Sequence, residues 1–386
     1  MGNETRDTIP YARPSFTAED LEAAAAVMRE RQWLQGEATH EFEQAAAAYQ
    51  GCSRSVFVNS GSSALLVAAH ALAEWGLGDV IVPAVQFPTL TSSVIHAGFH
   101  PVIVDIDDTL TIDPRRVEDA ITPRTRGIAV VHTAGNVGHL QELRELAEGA
   151  GCWLLEDNCD GFGGELYGKK VGGFGTVSVT SLHVAHILST GQGGLIFSDN
   201  DALANACVSY RDWGRRVGFD DTQPGIPPLP ADHMQRYTYE RLGFNLAPLE
   251  LQAVLGLHQL KRLDAMVAAR RRNYHAISLA AAVCGFKLPD QDADANPAWF
   301  ATPFATYDDG ERAGLFRALR QAKIEYRNIL SGRLDLHPAF RGRVPVVGEL
   351  PVADAWGRRG LWVSCHSSLR PDEIDRIAQF FSEWAR

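Results

Sequence analysis

The chain has 386 residues, of which 45% are hydrophobic and 22% are charged, and its formal net charge is -11. This length and composition predict a globular protein with a large domain and a lesser one, and the acidic balance disfavours a nucleic-acid partner, which requires a basic face. No apolar run is long enough to span a bilayer and the first ten residues lack an apolar signal core, so we expect a cytoplasmic protein with no membrane partner.

Helices open the chain and an alternating pattern follows. Thr17 to Asp20 resembles a capping box ahead of a helix over 21–28, and a second helix over 41–49 ends at Gly51. Short apolar runs then alternate with helical stretches, which predicts a mostly parallel sheet covered by helices on both faces. The predicted strands are 55–58, 80–82, 102–104, 128–131 and 153–155, with helices over 63–73 and 140–149. The runs 177–180 and 194–197 predict neighbouring strands added at one side of this sheet.

The last third of the chain has a looser pattern. Several prolines between residues 224 and 230 predict an irregular loop. Two helices over 248–263 and 265–284 lead to a C-terminal part. That part is predicted to hold strands over 298–307 and 324–327 and helices over 310–322 and 371–384.

Residues 59–64, Asn-Ser-Gly-Ser-Ser-Ala, come directly after a predicted strand and open a helix. Gly61 allows close approach of the backbone, Ser62 supplies a hydroxyl group, and a helix N-terminus attracts anions. A plain turn in which a serine caps the helix is equally consistent with these residues. The segment alone therefore indicates either an anion site or a helix cap.

Two further segments carry titratable side chains. Asp157 and Asp160 follow an apolar strand, and the carboxyl ends of parallel strands are where α/β sheets bind ligands, although solvated loop acids would look the same. Ser181, His183 and His186 follow another strand and lead into a glycine-rich turn. Two histidines without a third clustered ligand do not indicate a metal site.

In this order, the segments resemble the sugar-aminotransferase family typified by the DegT and StrS proteins, a branch of the fold-type-I pyridoxal phosphate enzymes. The resemblance also includes Ile9 to Pro14, Trp33 to Gly36, Gly172 to Gly175 and Gly243 to Asn245. It implies an α/β fold of the aspartate-aminotransferase kind, with a large domain of mostly parallel mixed sheet and a small C-terminal α+β domain. Residues 1–265 would form the N-terminal helices and the cofactor domain, and residues 266–386 the linking helix and small domain.

The resemblance also implies roles for individual residues. Gly61, Ser62 and Ser181 would hold the cofactor phosphate. Asn245 resembles an asparagine that reaches a cofactor phosphate across a subunit interface, which implies a homodimer with shared active sites.

Two more residues would contact the cofactor ring, one more is a cofactor-binding candidate, and a further segment would contact substrate. Phe87 would stack on the pyridine, where its alternative role is core packing, and Asp157 would keep the ring nitrogen protonated. Asp160 is a further cofactor-binding candidate. Arg327 and Asn328 resemble a substrate-binding region.

The family's Schiff-base lysine is replaced at position 186. The family pattern is Ser-x-x-x-x-Lys, and this chain has Ser181 followed by His186. Because imidazole is not a primary amine, a simple transamination cycle is disfavoured. A histidine at this position resembles the 3-dehydratases of nucleotide-linked 4-keto-6-deoxysugars, which use non-covalently bound pyridoxamine 5'-phosphate. His186 would then be the acid/base and Asp157 the electronic tuner.

One branch of these dehydratases carries a cysteine-bound iron–sulfur cluster, but residues 211–244 contain no cysteine, and the six cysteines of the chain form no CxxC pair. We therefore expect no iron–sulfur cluster, no metal, a nucleotide-sugar substrate, and L-glutamate as the amino donor that re-forms the cofactor. Two alternatives stay open. One is an aminotransferase-like enzyme acting on another keto sugar or a cyclitol, and the other is a non-catalytic paralogue that binds a sugar nucleotide.

Overall fold

The computed structural model describes residues 7–30, 33–217 and 238–384. Its helices are α1 (Ala18–Arg29), α2 (Glu37–Gln50), α3 (Gly61–Ala73), α4 (Thr89–His96), α5 (Pro114–Ala120), α6 (Leu140–Gly149), α7 (Asp201–Arg211), α8 (Glu250–Leu260), α9 (Leu263–Val283), α10 (Asp309–Gln321), α11 (Pro351–Arg359) and α12 (Pro371–Trp384). Its strands are β1 (Arg54–Val58), β2 (Asp79–Pro83), β3 (His100–Val104), β4 (Thr125–Val131), β5 (Trp153–Asp157), β6 (Glu165–Leu166), β7 (Lys169–Lys170), β8 (Val177–Ser181), β9 (Gly194–Ser198), β10 (Ala295–Asn296), β11 (Ala301–Ala305), β12 (Tyr326–Asn328) and β13 (Gly360–Ser364). Within the described ranges, every helix is too short or too polar to cross a membrane.

A seven-stranded sheet forms the centre of the molecule, in the order β1-β9-β8-β5-β4-β2-β3. The strands from β8 to β3 run parallel, whereas β9 is antiparallel to both of its neighbours. Most strand residues are buried on both faces, because helices cover both sides of the sheet. The predicted α/β class and mostly parallel sheet are confirmed. β8 and β9 are neighbours as predicted. They lie between β5 and β1, so β1, the first strand of the chain, forms one edge of the sheet.

The two N-terminal helices pack against α8. Thr17 and Asp20 form the predicted capping box at the start of α1, and Gly51 ends α2 in the left-handed conformation. α2 begins at Glu37 rather than at residue 41. Its first turn is capped by the Glu250 carboxylate, which accepts hydrogen bonds from Ala38 N at 2.7 Å and Thr39 Oγ1 at 2.6 Å. A cap supplied from so far along the chain has no local sequence signal.

The C-terminal part contains a smaller sheet in the order β11-β13-β12, with both pairings antiparallel. Against it pack α9, α10 and α12 around a core that includes Phe304, Leu319 and Phe381. Ile324, predicted to be in a strand with residues 325–327, instead pairs with Ile9 in a parallel bridge, so β12 begins two residues later. The division of the chain near residue 265 stays a prediction, and the predicted loop over 224–230 lies outside the described residues.

Candidate active site

A cavity of about 620 Å³ lies at the carboxyl ends of β1, β5 and β8. These three strands share a direction, because β9 is antiparallel to both β1 and β8, so their ends meet at one edge of the sheet. The cavity is lined by most of the residues singled out from the sequence: Gly61, Ser62, Phe87, Asp157, Asp160, Ser181, His183, His186, Arg327 and Asn328. Segments far apart in sequence are therefore brought together.

The first turn of α3 and the end of β8 form a narrow cradle at one end of the cavity. Ser60 caps α3 by accepting a hydrogen bond from Ser63 N at 3.0 Å, so the capping role weighed for this segment belongs to Ser60. The backbone N–H groups of Gly61 and Ser62 are the first of the helix and therefore point beyond its end. A Cβ atom on Gly61 would lie 2.6 Å from Ser181 Cβ. Only glycine permits this close approach of the helix to Ser181.

Asp157 ends β5 as a buried carboxylate with 3% of its surface exposed. Its Oδ1 accepts a hydrogen bond from Cys159 N at 3.2 Å. Burial raises the pKa of Asp157, and the hydrogen bond and the nearby His132 oppose that rise. A carboxylate in this position strongly favours a positively charged ligand group beside it, because such a group would offset its desolvation.

His186 and Asp160 face each other across the cavity floor. The His186 Nδ1 atom lies 3.5 Å from Asp160 Oδ1, and 16% of the His186 side chain is exposed. Burial, together with His183 and Arg270, lowers the pKa of His186 to about 3. Burial and the charge of Asp157 raise the pKa of Asp160 to about 7, against a hydrogen bond from Ala134 N. Both shifts favour the uncharged forms, so a proton held by this pair lies on Asp160 and the His186 imidazole is neutral.

Phe87 lies at the rim and is 56% exposed, so it is not a core residue. The turn that carries it is fixed by the buried Gln86, whose Nε2 donates to Pro83 O at 2.6 Å and whose Oε1 accepts from Thr91 Oγ1 at 2.8 Å. Ser331 Oγ donates to Gln86 O at 2.6 Å. The ring is therefore held in place without itself being packed.

An aromatic wall closes the side of the cavity opposite the main sheet. Tyr11 contacts Phe300 and Trp362, with ring centroids 5.8 and 6.5 Å apart, and the Arg327 guanidinium lies 4.7 Å from the centroid of Tyr11. Phe300 also contacts the His186 ring at 5.0 Å. These wall residues, apart from Arg327, were not identified as site residues from the sequence. Their only signal was Tyr11 within the opening segment of the family resemblance.

The lining residues of the cavity, within the described ranges, include no lysine, and His186 occupies the place expected for one. The sequence profile of the DegT/DnrJ/EryC1/StrS aminotransferase family matches residues 14–382. This chain belongs to that family. The resemblance placed the family's Schiff-base lysine at position 186. This chain has a histidine there, although it matches the family over almost its whole length.

Relatives within the family include 3-dehydratases. The chain is 33% identical to the lipopolysaccharide biosynthesis protein RfbH of Salmonella typhimurium, over 91% of this chain and 86% of that protein. It is 32% identical to dTDP-4-dehydro-2,6-dideoxy-D-glucose 3-dehydratase of Saccharopolyspora spinosa, over 96% of this chain and 86% of that enzyme. The structure of E. coli GDP-4-keto-6-deoxy-D-mannose-3-dehydratase with bound hydrated pyridoxal phosphate superposes with a TM-score of 0.88 at 26% identity, covering 96% and 98% of the two chains. The aspartate-aminotransferase-like fold is thereby confirmed, and the chain is an enzyme of the pyridoxal phosphate aminotransferase superfamily.

The cavity fits the family's cofactor. Its cradle at Gly61 and Ser181 offers helix N–H groups and a hydroxyl to a phosphate, and a Cβ at Gly61 would fill it. The buried Asp157 offers an acceptor for a protonated pyridine nitrogen. Phe87 offers an exposed aromatic face at the rim. These residues suit a phosphorylated pyridine.

Asn245 does not line this cavity. It is exposed, and its backbone forms a bridge with Asp212, next to Leu246, whose carbonyl accepts a hydrogen bond from Asn59 N. The predicted contact between Asn245 and a cofactor phosphate is therefore not made within one chain. An approach to the cavity of a second subunit stays a prediction.

Proposed function

We propose that the protein catalyses the pyridoxamine 5'-phosphate-dependent removal of the C3 hydroxyl group from a nucleotide-linked 4-keto-6-deoxysugar. The observation that carries this proposal is His186. It occupies the family's lysine position, and it lies in a cavity whose described lining offers no other amine side chain. A cavity with no lysine in its described lining suits a reaction in which the reacting amine belongs to the cofactor and is not a side chain of the protein.

When bound, the cofactor supplies the amine that condenses with the sugar ketone and the ring that accepts electron density. The chain supplies its binding and its electronic tuning. Gly61, Ser62 and Ser181 hold the phosphate through two helix N–H groups and hydroxyl donors. Asp157 holds a proton at the pyridine nitrogen, because burial makes a nearby cation favourable for this carboxylate.

His186 moves the protons. Its Nδ1 faces Asp160, which leaves Nε2 as the atom that can exchange a proton with a ligand in the cavity. Burial keeps the imidazole neutral and able to accept a proton. The Asp160 carboxylate, when ionised, stabilises the imidazolium that then forms, because its Oδ1 lies 3.5 Å from His186 Nδ1. The same Nε2 can then protonate the C3 hydroxyl as it leaves. The hydroxyl would leave as water, and the amine form of the cofactor would supply the two electrons that this loss of oxygen requires. L-glutamate would restore that form, becoming 2-oxoglutarate, and the nitrogen would leave as ammonia.

The relatives support the substrate class and leave its identity to experiment. Two of the similar proteins described above are named as 3-dehydratases of dTDP- or GDP-linked keto sugars. We propose a nucleotide sugar as substrate, L-glutamate as the amine donor that re-forms the cofactor, and a homodimer in which Asn245 reaches the partner's cavity. We also propose that no iron–sulfur cluster takes part, since residues 211–244 contain no cysteine.

The test has a binding arm and a catalytic arm. The binding arm measures intact mass after pyridoxal phosphate and borohydride, for the wild type and for His186→Lys. We expect an adduct only on the variant. Lys169 and Lys170 do not line the cavity, since Lys169 packs on Phe174 and Lys170 pairs with Glu165.

The catalytic arm supplies pyridoxamine phosphate, L-glutamate and GDP-, dTDP- or CDP-linked 4-keto-6-deoxysugars. We expect a product that has lost the C3 oxygen, and we expect His186→Lys to lose this product and to gain an amino sugar. A stoichiometric adduct on a wild-type lysine, or an amino sugar as the wild-type product, would replace the dehydratase by an aminotransferase. Failure of the wild type to bind cofactor would point to a non-catalytic paralogue.

A further inference from the structure

Arg270 is a buried cation behind the cavity. It lies on α9 and its side chain is fully buried. Buried arginines are usually paired with carboxylates, because removing a cation from water is costly. Arg270 instead has the Cys365 side chain as one partner and backbone carbonyls as others, with Nη1 donating to Phe300 O at 2.8 Å and Nη2 to His186 O at 3.2 Å. A buried charge that binds the backbone of two cavity residues requires an explanation beyond packing.

The two carbonyls belong to residues whose rings touch. His186 lies on the loop after β8, and Phe300 directly precedes β11. Their ring centroids are 5.0 Å apart. Arg270, on a third element, therefore fixes the backbone on both sides of this ring contact.

We propose that Arg270 is a positioning residue for His186, which clamps the His186 loop to the Phe300 segment and so sets where the imidazole lies in the cavity. This inference rests on the acid/base role proposed for His186. Position matters because proton transfer requires hydrogen-bond reach between the two heavy atoms. A displacement of about 1 Å in a catalytic group can cost on the order of 100-fold in rate.

The charge of Arg270 acts on the same imidazole. The charged and titratable groups around His186 and its neighbour Asp160 come from several elements: Asp157, Cys159, His183, Arg270 and Tyr11. After burial and His183, Arg270 is the third cause that lowers the pKa of His186 to about 3. It also opposes the rise in the pKa of Asp160. Arg270 thus favours neutral imidazole beside ionised carboxylate, the form in which His186 accepts a proton.

Three variants separate the clamp from the charge. Arg270→Met removes both, and Arg270→Lys keeps the charge but loses the planar fork that reaches two carbonyls. The matched control is Arg271→Met. Arg271 is the next residue of α9 and also binds carbonyls, those of Pro297 at 2.8 Å and Asn296 at 2.7 Å, but it does not contact His186.

Two readouts are taken on the full protein with pyridoxamine phosphate. The first is ¹⁵N NMR of the His186 imidazole against pH, assigned by its absence in His186→Asn. The second is kcat and KM for the sugar against pH. We expect Arg270→Met to raise the pH at which His186 and the acid limb of kcat titrate, and to lower kcat by tenfold to 100-fold with KM changed less than about threefold. Arg270→Lys should lower kcat without moving the titration, and Arg271→Met should match the wild type.

Results for the Arg270 and Arg271 variants can overturn the proposal. A wild-type titration and wild-type kcat in Arg270→Met would overturn it, as would the same loss of kcat in Arg271→Met. If Arg270→Met does not fold, wild-type kcat in Arg270→Lys is the overturning result. Should the wild type dehydrate none of the sugars, the proposed function fails on that result alone, and the NMR titration still tests Arg270.

Discussion

Replacing Gly61 by alanine introduces one methyl group into the phosphate cradle. The new Cβ would lie 2.6 Å from Ser181 Cβ and 3.1 Å from Ser181 Cα. Carbon atoms in favourable contact are about 3.5 Å apart, so α3 and β8 must separate by about 0.9 Å. Gly61 is the first residue of α3, where alanine is a good helix former, so the cost is steric rather than conformational.

The displacement has two consequences of known size. Overpacking of this kind destabilises a protein by about 1–3 kcal/mol. If Ser181 binds the cofactor phosphate as proposed, moving it away from the helix N-terminus removes one charge-assisted hydrogen bond, worth about 1.5–3 kcal/mol, which corresponds to a roughly tenfold to 150-fold weaker cofactor affinity. Gly149→Ala is the matched control, because Gly149 ends α6 with no atom within 4 Å of a new Cβ.

The assay titrates pyridoxamine phosphate into each protein by isothermal calorimetry and follows unfolding in urea. Gly61→Ala should bind the cofactor weakly and unfold at lower urea concentration. Gly149→Ala should bind as the wild type does and should be no less stable. Unchanged cofactor affinity in Gly61→Ala would refute the assignment of the cradle as the phosphate site, even if stability fell as expected.

Two further predictions concern stability away from the cavity. The hydrogen bond from His139 Nε2 to Asp107 at 2.6 Å holds the pKa of His139 above its usual 6.5. Its stabilisation is therefore fully present just below about pH 6.5 and is lost as pH rises through the folded-state pKa. The difference in urea midpoint between wild type and His139→Asn should shrink from about pH 6.5 upward, and a constant difference would contradict this. Glu250→Ala leaves the first turn of α2 without its cap at Gly36 and Thr39, and should lower the free energy of unfolding by about 2–3 kcal/mol, with an unchanged urea midpoint as the contrary result.

Much of the fold was predictable because its signals are local. The strands of the main sheet are short apolar runs, and α12 was predicted with its observed bounds, because a strongly amphipathic segment follows Pro371. β13, the central strand of the small sheet, was missed. Its five residues carry no alternation, since all of them are buried, and they directly follow α11. A short buried run in that place cannot be told from a continuation of the helix by its periodicity.

The residues of the candidate site also fall into two groups, those that lie in local sequence motifs and those whose role depends on contacts between distant elements. Gly61, Asp157 and His186 lie in motifs at the ends of strands, and such motifs can be recognised one segment at a time. Phe300, Trp362 and Arg270 take their meaning from contacts between distant elements. A buried aromatic or a buried arginine within a helix has no pattern that points to a cavity. The sequence therefore predicted the floor of the cavity and not its wall.

The segment that carries Tyr11 also has a consequence for biosynthesis. Tyr11 N binds Glu325, 314 residues away, and Arg13 binds Glu373, 360 residues away. At about 5–20 residues per second, a ribosome emits this segment roughly 20–70 seconds before its last partner appears. During that interval the main sheet and the cradle can form, while Tyr11 still lacks its partners Glu325 and Trp362. The contacts that complete the cavity wall are thus among the last to form, and a nascent chain interrupted before Trp362 would lack part of that wall, so its cavity would be open to solvent on one side.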